Sequence, residues 1–247
     1  MSETSQKVWL AGVDGCPGGW VAVFVRSSGD EFILRTYEAI LDVADGPMQP
    51  AVIAVDMPIG LPDRSGIGGR AAENAVRPLL GKRQSSVFSV PSRAAIFADS
   101  YAQACATALA TSDPPRKVSK QLFNIAPKIR EIDGLLQTHP QWRPRFFEVH
   151  PEVAFWRLNG EQPLQEPKKV KSRTHAPGLD MRRKLLIAAG LPTALVHANP
   201  PKPAKADDLI DACACAAIAR RIYSDTAKPF PDPPPCDAHG LPMAIWA

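Results

Sequence analysis

Short apolar runs broken by turn residues open the chain. Val8–Asp14 reads as a strand that ends in a carboxylate. The Gly15-Cys-Pro-Gly-Gly19 turn follows, where glycines take positive φ and proline fixes its own. Trp20–Arg26 reads as a second strand, Ser27–Asp30 as a tight turn and Glu31–Tyr37 as a third strand. Together they form an antiparallel meander. Glu38–Asp45 fits a short helix closed by Gly46. Val52–Asp56 is a continuous apolar run, as expected of a strand covered on both faces. Strand, helix, strand is a crossover, so the fourth strand should lie parallel to one already made.

A segment rich in Gly, Ser and Arg runs from Leu61 to Pro91. Ser92–Leu109 and Val118–Leu136 carry helical patterns, with Pro127 expected to kink or split the second. Arg145–His150 reads as a fifth strand, and Leu164–Leu179 as a basic loop. Met181–Ala189 reads as a helix with Gly190 as its C′ residue. Ala206–Tyr223 is rich in Ala, Leu and Ile with no internal breaker, and predicts the last helix. This order predicts one α/β domain over residues 1–247, with a helical insertion at about 61–144 between strands four and five. The proline-rich end, about 226–247, should run extended over the surface or dangle.

Composition narrows the class. The 247 residues are 45 % hydrophobic and 22 % charged, which suits a globular chain with a sizeable core. No apolar run is long enough to span a bilayer, so no membrane partner is expected. Residues 1–7 lack an apolar signal core, so neither secretion nor anchoring is expected. The five cysteines are an odd number and read as reduced thiols in the cytoplasm. The net charge of +4 tolerates an anionic partner without demanding one.

Aspartates at element ends carry the chemistry. Asp14 ends the first strand, Asp56 ends the fourth, and Asp207, Asp208 and Asp211 start the last helix. If the first and fourth strands are parallel neighbours, Asp14 and Asp56 meet at the sheet edge where α/β proteins place their sites. Asp208 and Asp211, three apart, share a helix face that docking would add to them. Clustered carboxylates raise one another's pKa and usually hold hard divalent cations. Each residue has a plainer role on offer. Asp14 could serve its turn, and Asp207 and Asp208 the helix dipole.

Several motifs occur in one order. They are Gly12-Val-Asp14-Gly-Cys-Pro-Gly-Gly-Trp20, Asp56-Met-Pro-Ile-Gly-Leu61, Ser86-Val-Phe88 with Pro91-Ser-Arg93, Lys120-Gln with Lys128-Ile-Arg-Glu131, Glu148-Val-His150-Pro-Glu152 and Asp207-Asp-Leu-Ile-Asp-Ala212. Over nearly its whole length the chain resembles the bacterial and archaeal family called domain of unknown function 429, described as predicted nucleases of ribonuclease H-like fold. Asp211–Ala216 is also similar to the last helix of Holliday-junction resolvases, which share that fold. The resemblance implies a mixed five-stranded sheet of order 3-2-1-4-5, with strand 2 antiparallel and helices flanking. It implies Mg²⁺ or Mn²⁺ held by Asp14, Asp56 and an acid of the last helix. Asp208 and Asp211 compete for that place, and Asp211 is preferred because it heads the Asp-Ala pattern. Glu148 is a candidate further ligand. His150, two residues along the same strand, would face the same side, or serve as a hydrogen-bonded structural histidine.

Basic residues supply candidate phosphate contacts. Arg70, Arg77, Lys82, Arg83 and Arg93 follow Asp56, while Lys168, Lys169, Lys171 and Arg173 precede the last helices. Arg93 and Lys120 lie inside the family motifs, and Lys171 and Arg83 complete the substrate-binding candidates. A solvated surface is the plain alternative for each. Trp20, Phe88 and Trp156 could stack on bases, although aromatics at such positions usually pack in cores.

Other motifs fall short. Leu80-Gly-Lys-Arg83 lacks the hydroxyl residue of a phosphate-binding P-loop. Gly66-Ile-Gly-Gly-Arg70 is not led by a strand. Cys213 and Cys215 lack zinc-ligand partners at usable spacing, and Cys16 could be a reactive thiol beside the site. The expected function is therefore a two-metal carboxylate nuclease acting on nucleic acid. The alternatives are a non-catalytic binding module on the same fold and a phosphotransferase of the actin and sugar-kinase superfamily.

Overall fold

The computed structural model describes residues 7–171 and 173–247. Residues 1–6, residue 172 and the side chain of residue 173 lie outside the described residues. The reading of the N-terminus as no signal segment and the phosphate role offered for Arg173 fall there.

The chain divides into two compact units. The first holds the residues up to Asp56, Arg145–Phe147 and Glu166–Ala227. The second holds Met57–Pro144, Glu148–Gln165 and Lys228–Ala247. In chain order the elements begin with β1 (Trp9–Cys16), β2 (Gly19–Arg26), β3 (Phe32–Tyr37), α1 (Ile40–Ala44) and β4 (Val52–Val55). Next come α2 (Ala71–Val76), α3 (Arg93–Ile96), α4 (Tyr101–Ala110) and α5 (Lys120–Thr138). After these come β5 (Phe146–Glu148), α6 (Pro151–Leu158), β6 (Lys169–Val170) and β7 (Arg173–Thr174). The chain closes with α7 (Ala176–Ala188), α8 (Thr193–Val196), α9 (Ala206–Tyr223), β8 (Pro229–Phe230) and β9 (Ile245–Trp246). Among the described residues no helix is long and apolar enough to cross a membrane.

A five-stranded sheet of order β3-β2-β1-β4-β5 organises the first unit. β1 and β2 run antiparallel, as do β2 and β3, whereas β1 and β4 run parallel. This is the mixed sheet of the ribonuclease H-like fold, in the order expected. β2 is buried from Gly19 to Val25, and all of β4 is buried, which explains their unbroken apolar sequence. α9 packs on β1, β2 and β4 with every residue from Leu209 to Ala219 buried. Its alanines permit that approach, and Gly12 completes it. A Cβ on Gly12 would collide with the carbonyl oxygen of Ala212 and the backbone nitrogen of Ala216.

α7 starts at Ala176, five residues before the helix expected at Met181, and so takes up the end of the supposed basic loop. Gly178 makes this packing feasible, because a Cβ there would strike the backbone of Pro167. The rest of that loop contains the β6–β7 hairpin.

In the second unit the 92–109 pattern is two helices. Ser100 caps α4, its hydroxyl accepting from the Gln103 N–H at 3.2 Å, and the chain turns before it. α5 runs unbroken through Pro127. Its buried stripe of Leu122, Ala126, Ile129, Ile132 and Leu136 outweighs one lost backbone hydrogen bond. β5 stops at Glu148, so His150 is not in a strand. It is the N-cap residue of α6, a helix announced by Pro151 in its first turn. The proline-rich end packs as part of this unit. β8 pairs with β9, Leu241, Ala244, Ile245 and Ala247 are buried, and Phe230 meets Trp156 edge to face.

Candidate metal centre

Parallel pairing of β1 and β4 sets the geometry. Val13 pairs with Val55, so the next residues, Asp14 and Asp56, leave neighbouring strand ends together. The Asp56 N–H donates to the Val13 carbonyl at 2.9 Å and fixes that exit. α9, drawn onto Gly12, delivers Asp211 to the same edge. One carboxylate oxygen each of Asp14, Asp56 and Asp211 lies within 4.8 Å of the others. Asp14 and Asp211 are buried and Asp56 is half-buried. The Gly15 N–H donates to Asp14 Oδ1 at 2.6 Å, which orients that carboxylate.

Electrostatics at this edge are costly without a counter-charge. Burial pushes the Asp14 carboxyl well above its ordinary range. The charges of Asp56 and Asp211 push it further, Lys168 opposes them, and Asp208 adds a smaller push. Lys168 donates its ammonium to Asp211 Oδ2. Burial would lower the Lys168 pKa, but the charge and hydrogen bond of Asp211, with Asp14 and Asp56 behind, raise it above the usual lysine range. This lysine therefore stays charged. Lys169 pairs with Asp207 and, against the upward push of burial, holds that carboxyl below its ordinary value. Asp208 accepts the Lys205 N–H at 2.9 Å and serves the start of α9. Burial still raises its pKa. Three carboxylate oxygens at this spacing are donors that a metal cation can share. The three aspartates therefore form an acidic group able to hold a metal ion.

Other acidic and basic candidates have different surroundings. Glu148 is buried in the second unit, where its Oε1 accepts from Arg70 Nη2 at 2.6 Å and its Oε2 from the Ile59 N–H at 2.8 Å. Arg70 also forks onto Glu73, through Nε at 2.8 Å and Nη2 at 2.6 Å. Burial raises the Glu148 carboxyl to about 6 despite Arg70. The Arg93 guanidinium is shared between Asp133 and Asp237. Lys120 Nζ lies 4.4 Å from the Tyr101 ring centroid, and Lys171 is exposed. Arg83 is half-buried, its carbonyl accepting from the Ser86 hydroxyl. His150 Nε2 lies 3.3 Å from the Ser86 carbonyl oxygen.

The aromatic and thiol candidates are mostly core. Trp20 is fully buried, Trp156 nearly so, and Phe88 half-buried. Cys16, Cys213 and Cys215 are buried, and burial carries the last two thiols far above their ordinary range. Lys168 is the residue at the acidic group that motif reading passed over in favour of Lys171. Its signal was the pair Lys168-Lys169, matched in charge to Asp207 and Asp211.

Comparison with curated proteins and with solved structures finds no match. The family model described as "Protein of unknown function (DUF429)" matches residues 12–235, which include all three aspartates, and the chain belongs to that family.

Proposed function

We propose that the protein is a metal-dependent phosphodiesterase acting on nucleic acid in the cytosol. The observation that carries this reading is the convergence of Asp14, Asp56 and Asp211 within 4.8 Å. Mg²⁺ or Mn²⁺ at these carboxylates would activate water and stabilise the departing oxygen of an in-line phosphoryl displacement. Asp14 and Asp56 would hold the cation side of the site from strand ends, and Asp211 from α9. Lys168 would keep Asp211 ionised and turn its remaining ammonium protons toward a phosphate oxygen. Lys120, Lys171 and Arg83 are proposed to guide the substrate strand. Arg93 is proposed to shape its unit, since two carboxylates already engage it. Asp208, held by the Lys205 N–H, would support the site without ligating metal, and Glu148, held by Arg70, would serve the second unit. Five unbridged cysteines support the reducing compartment.

One observation favours a second reading. Lys168 already neutralises part of the acidic group, as suits a module that binds nucleic acid or protein without cutting it. Calorimetry with Mn²⁺ and Mg²⁺ separates the two. Saturable binding lost in Asp14→Asn and Asp211→Asn, with metal-dependent cleavage of branched, hybrid or single-stranded nucleic acid, supports the phosphodiesterase. Full metal-dependent cleavage by Asp14→Asn refutes it. Parent protein that binds neither ion, even with oligonucleotide present, favours the binding module.

A further inference from the structure

A basic cleft in the second unit is lined by none of the three aspartates. It encloses about 260 Å³ and is walled by the turn around Gly69, the segment carrying Phe88 and the entry to α5. Ser65, Arg116, Lys117 and Ser119 line it, and no Asp or Glu does so among the described residues. Arg116 and Lys117 are exposed, and neither has an ion-pair partner among the described residues. Arg77 lies close enough to feel Arg116. Its pKa is lowered chiefly by burial and further by the Arg116 charge, with Glu73 opposing. Glu73 stands behind the cleft, its Oε2 accepting from the Val90 N–H at 3.4 Å, but it is engaged by Arg70, so Arg116 and Lys117 face the cleft with no carboxylate on its wall among the described residues.

Two further features point to an anion. α5 is 19 residues long, and its N-cap, Ser119, lies on the cleft wall, so the positive end of the helix faces this space. Ser65 is nine-tenths buried. Its backbone is pinned on both sides, its N–H donating to Thr111 at 3.0 Å and its carbonyl accepting from Asp113 at 3.0 Å. Its hydroxyl has no partner among the described residues and is left to serve the cleft it lines. Half-buried Phe88 adds an apolar wall.

We propose that this cleft binds the terminal phosphate of a small phosphate ester, whose organic body lies against Phe88. Arg116 and Lys117 hold the phosphate charge, the positive end of α5 adds its field, and Ser65 adds a hydroxyl. A bounded cleft suits the end of a molecule better than the continuous backbone of a nucleic acid. The assignment stands independently of the phosphodiesterase reading.

Calorimetry on the full chain tests it, with EDTA present so that no divalent cation bridges the ligand. The probes are inorganic phosphate, a nucleoside 5′-monophosphate, the bare nucleoside and an oligonucleotide without terminal phosphates. We expect saturable binding of phosphate, and binding of the monophosphate at least about threefold tighter through Phe88. The bare nucleoside should not bind. Arg116→Ala with Lys117→Ala should weaken monophosphate binding by about tenfold or more, and raised salt should weaken it too. Both residues are exposed, so the double variant should melt like the parent. Ser65→Ala should give a smaller loss. Failure of phosphate and monophosphate to bind, or equal affinity in the double variant, overturns the proposal. Equal affinity for the oligonucleotide overturns the assignment to a terminal phosphate and points to backbone recognition.

Discussion

Lys168 donates its ammonium to Asp211, the α9 carboxylate that also faces Asp14 and Asp56. The pair sets how the acidic edge behaves without metal. Removing the ammonium leaves three carboxylates crowded together, and losing one partner of a buried pair is far more costly than the pair is stabilising. Lys168 is only partly buried, so the cost should fall below the roughly 3–5 kcal/mol of a fully buried pair. Lys168→Met should lose about 1–3 kcal/mol of stability in EDTA, measured by urea unfolding. Added Mn²⁺ should recover most of it, because a cation replaces the missing charge. Equal stability of parent and variant in EDTA would show that the pair contributes nothing.

A pH dependence follows from Asp14, whose carboxyl is raised by burial and then by Asp56 and Asp211. The metal-free fold binds a proton at Asp14 more tightly than the unfolded chain does. The stability from this group is therefore fully present below the ordinary aspartate pKa and is lost as pH climbs through the raised value. Metal binding must displace that proton. The rise in melting temperature on adding Mn²⁺ should therefore be small near pH 4 and grow toward neutrality. Calorimetry in buffers of different ionisation enthalpy should show proton release on binding. A metal-induced shift that is flat across this range would contradict both signs.

Gly12 is where sheet and helix touch most closely. An added methyl would meet backbone atoms of Ala212 and Ala216, which have no rotamer to yield. Gly12→Ala should cost about 3 kcal/mol or more, at or beyond the upper end of ordinary overpacking. It should also displace Asp211 from Asp14 and Asp56, so metal affinity should fall with stability. Far-ultraviolet circular dichroism in urea and Mn²⁺ titration report the two effects separately.

Much of this geometry was legible in the residues. The antiparallel meander, the crossover and the apolar run Val52–Val55 placed Asp14 beside Asp56, because side chains at matched ends of parallel strands must be neighbours. The last helix matched its expected span, since eighteen residues without a breaker leave no competing structure. What stayed hidden depends on contacts distant in sequence. Lys168 is 43 residues from Asp211, and no local pattern distinguishes it from Lys171. Arg70 reads in the sequence as a phosphate contact or a solvated cation, yet it is 3 % exposed because Glu73 and Glu148 enclose it. The α6 start was visible in Pro151 but was masked by extending the fifth strand through His150. Pro127 does not split α5, because a buried apolar stripe tolerates one missing backbone bond.

Arg70 provides the last prediction. Its guanidinium sits between Glu73 and Glu148 and also donates to the Ile59 carbonyl at 2.7 Å. Arg70→Met preserves much of the side-chain volume but strands two buried carboxylates, so it should cost about 3–5 kcal/mol. Glu148→Gln keeps the shape and one acceptor while weakening the ion pair, and should cost less, about 1–3 kcal/mol. The ordering matters, because it separates a structural Glu148 from a metal-binding one. If Glu148 serves only Arg70, Glu148→Gln should lower the urea midpoint while Mn²⁺ affinity and stoichiometry stay as in the parent. A Glu148→Gln protein of parental stability that binds Mn²⁺ much more weakly would return Glu148 to the ligand set and end the structural assignment.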